Sequence, residues 1–220
     1  MDTVLITGVS GLLGTALAKT FSESGYQVIG QYHRNRPEKR PNCHWIYADF
    51  SSHEALDQFI RQSHDSLASC AVLVHNYGPI SYQAATDLSH WEIEADYFGN
   101  VIVPFRINRQ LLNQKPLLLK SVVHIGFELA GQFRAVQNVL SYLMAKNALL
   151  QYTLSMDASY PDIRFNIISF PSLIGAEFPS KKGGQIPPAI VASEILKLAE
   201  SRSGGEHRMR RTLIPPRHGL

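Results

Sequence analysis

Glycines at positions 8, 11 and 14 follow the apolar stretch Val4-Leu5-Ile6 in the segment Thr7-Gly8-Val9-Ser10-Gly11-Leu12-Leu13-Gly14. No other feature constrains the fold as strongly. At the junction of a strand with a helix, glycines so spaced serve a tight turn, a close approach of backbone to a pyrophosphate, and close packing of helix on sheet. A helix beginning near Gly11 offers free backbone N–H groups and its positive dipole end to that phosphate. Gly8, Ser10, Gly11, Leu12 and Gly14 are therefore the first candidate cofactor-binding residues.

Strand-like and helix-like segments alternate along the rest of the chain. Strands are expected at 3–7, 27–32, 44–48, 71–75, 121–125 and 164–169, and helices at 12–24, 53–61, 88–113, 136–160 and 189–201. Gly25 closes the first helix, and Pro104 should disturb the 88–113 helix or mark a local kink. The pattern predicts an α/β fold of Rossmann type, a doubly wound parallel sheet flanked by helices, as a single domain over 1–220. Such a sheet takes its ligand beyond the carboxyl ends of the strands, where Gly8, His33, Asp49, Asn76, Gly126 and Pro171 fall.

Bulk properties exclude several classes. A net charge of +3 is too small to argue for nucleic acid, and Arg208, Arg210 and Arg211 read as a solvated tail or a last turn. No apolar run reaches the ~18 residues of a membrane span, and the first strand follows Met1 too closely for a signal peptide, so a cytoplasmic protein with no membrane partner is expected. Neither the two cysteines, Cys43 and Cys70, nor the nine histidines show ligand spacing, and no metal site is expected.

Chemistry enters with Tyr142-Leu143-Met144-Ala145-Lys146. Four residues apart on a helix, Tyr142 and Lys146 share a face. An ammonium beside a phenol favours tyrosinate, so the expectation is that Lys146 lowers the Tyr142 pKa and readies it to protonate a carbonyl oxygen as hydride reaches the carbon.

Glycine run and helix pair together resemble the short-chain dehydrogenase/reductase family, and the motifs between them keep the family's order over about residues 3–200. Asp49, in Tyr47-Ala48-Asp49-Phe50-Ser51, matches the aspartate that meets adenine, with Phe50 beside it. His75-Asn76-Tyr77-Gly78 resembles the segment after the fourth strand that puts Asn76 and Gly78 at the cofactor. Asn100, in Asn100-Val101-Ile102-Val103-Pro104, matches the helix asparagine that completes the catalytic set through a water. Arg164-Phe165-Asn166 through Pro171-Ser172 resembles the stretch whose following backbone contacts the nicotinamide, which implies Pro171 and Ile174. In the family Lys146 also holds the nicotinamide ribose.

An acidic residue at the end of the second strand would select NAD, whereas a cation suits the 2'-phosphate of NADP. Tyr32-His33-Arg34 offers no acid there, so NADP(H) is expected, with His33 and Arg34 as phosphate partners. The same segment resembles the pteridine reductase branch. Two departures stand against these likenesses. The 8, 11, 14 spacing is that of extended, epimerase-like members, yet only about fifty residues follow Pro171, too few for their substrate domain. The family's catalytic serine is missing: Gly126 and Phe127 take its two places, with Glu128 next as a carboxyl able to relay protons.

These features lead to an NADPH-dependent reductase of a small carbonyl or pterin-like substrate, with Tyr142, Lys146, Asn100 and Glu128 as catalytic set. The alternative is an NADP-binding sensor or partner-binding protein weakened by loss of the serine. Family membership implies a homodimer or homotetramer through the two long helices, and a short lid at 178–185 containing Lys181-Lys182-Gly183-Gly184.

Overall fold

The computed structural model describes residues 1–132, 137–176, 185–201 and 203–209. Its elements run β1 (Thr3–Ile6), α1 (Leu12–Glu23), β2 (Gln27–Tyr32), β3 (Cys43–Tyr47), α2 (His53–Gln62), α3 (His64–Ala68), β4 (Cys70–His75), α4 (His90–Tyr97), α5 (Val103–Leu112), β5 (Ser121–Ile125), α6 (Leu140–Ser159), β6 (Arg164–Ser169), α7 (Pro188–Glu200) and β7 (Gly205–Arg208). All strands pair in parallel in the order β3-β2-β1-β4-β5-β6-β7. Sequence order reverses at β1, which lies between β2 and β4, and the crevice for a ligand opens there.

β4 is buried along its whole length, as expected of a strand covered on both faces. One apolar layer joins Leu13, Leu17 and Phe21 of α1 to Val191 and Ile195 of α7 on one side of the sheet; the other joins Leu56 and Phe59 of α2 to Ile107 and Leu111 of α5. α1 reaches its close seat through Gly14: a Cβ there would collide with the Gly8 carbonyl and come within 2.7 Å of Val9 Cα.

Three sequence expectations need correction. A seventh strand, β7, pairs with β6, and Arg208 lies in it, not in a solvated tail: its Nη2 donates to the Ala130 carbonyl at 2.8 Å. Glu-His flanked by Gly205 and Arg208 carries too little apolar alternation to read as an edge strand. The helix expected at 88–113 is interrupted not at Pro104 but just before it, by a π turn over Phe98–Ile102 in which the Val103 N–H reaches back to the Phe98 carbonyl. Pro104 sits in the first turn of α5, where its missing N–H cannot serve the four-residue helical register. Finally, α6 begins at Leu140, with Val136 outside the described residues, and a short α3 precedes β4. Among the described residues no helix is long and apolar enough to cross a membrane.

Candidate active site

Loops following β1, β2 and β4 enclose a cleft of about 330 Å³. Gly8, Ser10, Gly11, Leu12, His33, Asn76 and Gly78, all singled out from sequence, line it, and so do Gln31 and Tyr77, which were not. Two buried side chains hold the cleft open. Thr7 Oγ1 accepts the N–H groups of Asn76 and Tyr77 at 3.1 and 3.0 Å, while Asn76 Nδ2 donates to the Gly8 carbonyl at 2.9 Å. Gln31 Oε1 accepts the Gly8 N–H at 2.8 Å and its Nε2 donates to the Ala48 carbonyl at 2.6 Å, which ties the glycine turn to the loop after β3. A polar residue in a buried strand, one place from its end, was the available signal for Gln31.

The cleft fits a dinucleotide phosphate on its own terms. Gly11 caps α1 without a side chain, and no acidic residue stands in the first turn, so the leading N–H groups and the positive helix end stay available to an anion. Gly14 contributes packing and does not line the cleft. At the rim, His33 Nε2 lies 3.6 Å from Asp49 Oδ2, and Asp49 Oδ1 accepts the Ser51 N–H at 3.0 Å. Arg34 is exposed beyond that rim. The Phe50 ring is core, edge-on to Phe59 and Tyr77 at 5.1 and 5.4 Å, and does not line the cleft. The signal for burial was its place beside the apolar face of α2.

Farther along the strand ends, α6 brings Tyr142 and Lys146 together as its periodicity predicts. Lys146 Nζ stands 5.3 Å from the centre of the Tyr142 ring and donates to the Ile125 carbonyl at 2.6 Å. Asn100, in the π turn, is buried; its Nδ2 donates to the Pro79 and Asp96 carbonyls at 2.8 and 2.9 Å, leaving Oδ1 buried with no partner. Gly78 is small for this reason: a Cβ there would run into Asn100 Oδ1 and lie 3.6 Å from Lys146 Nζ.

The electrostatics differ from the sequence expectation. Burial, with Asp96 adding to it, raises the Tyr142 pKa above the ordinary phenol value instead of lowering it. Burial also pushes the Lys146 ammonium down to about 7, against the pull of Asp96. At Lys146 desolvation outweighs the attraction of Asp96. Asp96 and its hydrogen-bonded neighbour Ser141 were both missed; a carboxylate on a helix in an otherwise ordinary Glu-Ala-Asp-Tyr run gives no sign of burial.

The Phe127 ring lies edge-on to Tyr142, 5.3 Å between ring centres. A side chain at Gly126 would meet the Ser169 hydroxyl at 2.5 Å. Glu128 is tied down through its backbone, its carbonyl accepting from Gln132 Nε2 and Arg208 Nη1 at 2.6 and 3.1 Å. Among the described residues its carboxylate pairs with neither Tyr142 nor Lys146. Pro171 is buried after β6, and Ile174 is half exposed with its N–H bonded to the Ile186 carbonyl at 3.0 Å. The expected lid falls almost wholly outside the described residues, as do Arg210 and Arg211.

Comparison with known proteins agrees with this geometry. The NAD dependent epimerase/dehydratase family matches residues 4–89, the stretch from β1 to the start of α4. An NADPH-dependent 3-dehydrocapnine reductase of Ornithobacterium rhinotracheale is 27% identical over 120 residues, which is 51% of this chain and 42% of that protein. Among solved structures, 4-hydroxyisoleucine dehydrogenase complexed with NADH superposes with a TM-score of 0.83 at 21% identity, covering 95% of this chain and 97% of the other. An alcohol dehydrogenase from the archaeon Thermococcus sibiricus, complexed with 5-hydroxy-NADP, gives 0.83 at 20% identity, covering 98% and 99%. At such identities the superpositions speak for the fold. The sequence matches add likeness over part of the chain only, and together with the ordered motifs they make it similar to short-chain dehydrogenases/reductases.

Proposed function

We propose that the chain is an NADPH-dependent oxidoreductase that reduces a small carbonyl or pterin-like substrate with Tyr142 as proton donor. The observation that carries this reading is the placement of a protonated phenol, Tyr142, beside the buried Lys146 ammonium and next to a cleft with an uncapped helix end. Gly8, Gly11 and Asn76 would hold the pyrophosphate, Asp49 the adenine, and His33 with Arg34 the 2'-phosphate. A bound NADPH supplies the hydride. Tyr142 delivers its hydroxyl proton to the substrate oxygen, and a raised pKa keeps it protonated over the working range. Lys146 steadies the negative charge left on Tyr142, and Asn100 Oδ1, buried and lacking a donor, anchors the water that returns the proton. A relative named for its NADPH dependence supports the cofactor choice.

The test is turnover of NADPH against a panel of aldehydes, quinones and pterins. Tyr142→Phe is expected to lose about 10²-fold or more in kcat with NADPH affinity kept; equal turnover by the variant would remove Tyr142 from its role. Arg34→Ala is expected to weaken NADPH about tenfold and leave NADH unchanged, and an equal effect on both would refute the phosphate assignment. A second reading, an NADP-binding sensor, draws on Phe127 in the serine's place. Tight NADPH binding with no turnover of the whole panel decides for it. Trp91, Phe105 and Met144, exposed on α4, α5 and α6, suit these helices to a homodimer or homotetramer interface.

A further inference from the structure

Among the described residues, only two Asp, Glu, Lys or Arg side chains are buried, and they carry opposite charge: Asp96 and Lys146. Asp96 is fully enclosed. Its Oδ2 accepts the Ser141 hydroxyl at 2.5 Å and the Ser81 N–H at 3.3 Å, while Oδ1 has no partner. A buried carboxylate with an idle oxygen is costly unless a charge of opposite sign compensates it. Ser141 is the residue before Tyr142, and Asn100, one turn after Asp96, reaches toward Gly78 and Lys146 Nζ. The carboxylate thus sits at the join of the α4 turn, the loop after β4, and the start of α6. The groups that face Lys146 from packed elements are Asp96 from α4, Tyr142 on α6, His75 from β4 and His124 from β5. Both histidines are neutral in the fold, because burial holds their pKa values low, so Asp96 supplies the one formal counter-charge in this group.

We propose that Asp96 is the counter-charge of Lys146 and a positioning residue of the site, biasing the Tyr142–Lys146 pair toward giving a proton and away from taking one. A negative charge here stabilises the ammonium and opposes tyrosinate, so both groups stay protonated to higher pH. That state suits reduction, in which Tyr142 donates. Oxidation of an alcohol needs tyrosinate as base, and Asp96 moves that state to higher pH. The consequence for turnover rests on the reductase reading; the electrostatic link does not.

The link is read in cofactor-free protein labelled with carbon-13 at lysine Cε, with the Lys146 resonance assigned through Lys146→Arg. Lys146 is expected to titrate at about 7 in the natural sequence. Asp96→Asn should lower that midpoint by about one unit or more. Ser141→Ala, which removes the hydrogen bond and keeps the charge, should move it much less. An unchanged midpoint in Asp96→Asn, or an equal shift in Ser141→Ala, overturns the proposal. Where Asp96→Asn alone is too unstable to titrate, Asp96→Asn combined with Lys146→Met should unfold at a higher urea concentration than either single variant; simple additivity overturns the proposal. If the panel yields a substrate, the pH limb of the reverse oxidation should move to lower pH in Asp96→Asn, and an unmoved limb refutes the claimed bias. Failure of turnover alone sinks the reductase reading and leaves the titration result standing.

Discussion

Acid should weaken this protein well above the pH at which its carboxylates are protonated, and the cause is a stacked histidine pair inside the sheet. His75 and His124 lie ring on ring, 4.9 Å apart and 11° from parallel, with both side chains buried. Their tautomers follow from the partners. Asn108 Nδ2 donates to the Tyr152 hydroxyl at 2.9 Å and lies 3.3 Å from His124 Nε2, so His124 accepts there. Asn108 Oδ1 must then accept from His75 Nε2 at 2.9 Å, and His124 Nδ1 donates to Thr153 Oγ1 at 2.9 Å, whose own proton goes to the Leu149 carbonyl at 2.7 Å. His75 Nδ1 is left buried without a partner, so a proton added there is a buried charge with no acceptor, and one added at His124 Nε2 displaces the Asn108 donor.

Burial holds the His75 pKa at about 4, below the ~6.5 of an unfolded histidine, and places His124 well below its ordinary value too. The unfolded chain therefore binds more protons between these values, and stability falls as pH drops from about 6.5 toward 4. From pH 7 to pH 5 His75 alone should remove about 2 kcal/mol, and His124 acts in the same direction. Against a total of about 5–15 kcal/mol this is a large share. Urea midpoints of the cofactor-free protein at pH 7, 6 and 5 measure it. His75→Gln, whose amide keeps a donor for Asn108 but cannot titrate, should flatten the pH dependence markedly. A midpoint that is constant from pH 7 to 5, or a variant with the full slope, would refute the reasoning.

Two further outcomes can be checked directly. Gly14→Ala drives a Cβ into the Gly8 carbonyl and Val9, and should cost about 1–3 kcal/mol of stability and weaken dinucleotide binding, seen as a lower thermal midpoint and a higher Kd; unchanged values would show that α1 shifts freely. Phe127→Ser returns a hydroxyl beside Tyr142 and should raise carbonyl turnover about tenfold or more through an added oxyanion donor, whereas no gain would mean that the site does not use that position.

What could be read from the chain alone divides along a physical line. Backbone geometry left strong local marks: the glycines at 8, 11 and 14 foretold the turn and the close helix, and apolar runs foretold β1, β4 and β6. A helical spacing of four foretold that Tyr142 and Lys146 would meet. Side-chain electrostatics left no such marks, because they depend on burial, which tertiary packing decides. At Tyr142 the ammonium was expected to lower the phenol pKa; burial, with Asp96, raises it instead, and burial lowers that of Lys146. Asp96 carries no mark of burial in the sequence and is wholly enclosed. The polar residues of β4 and β5, His75 and His124, sat in apolar strands, and that discord was the one local hint that a buried network crosses the sheet behind the site. The same rule accounts for Gln31 and Asn108: a buried amide in a strand or helix core must find partners, and those partners are where the fold is braced around its ligand.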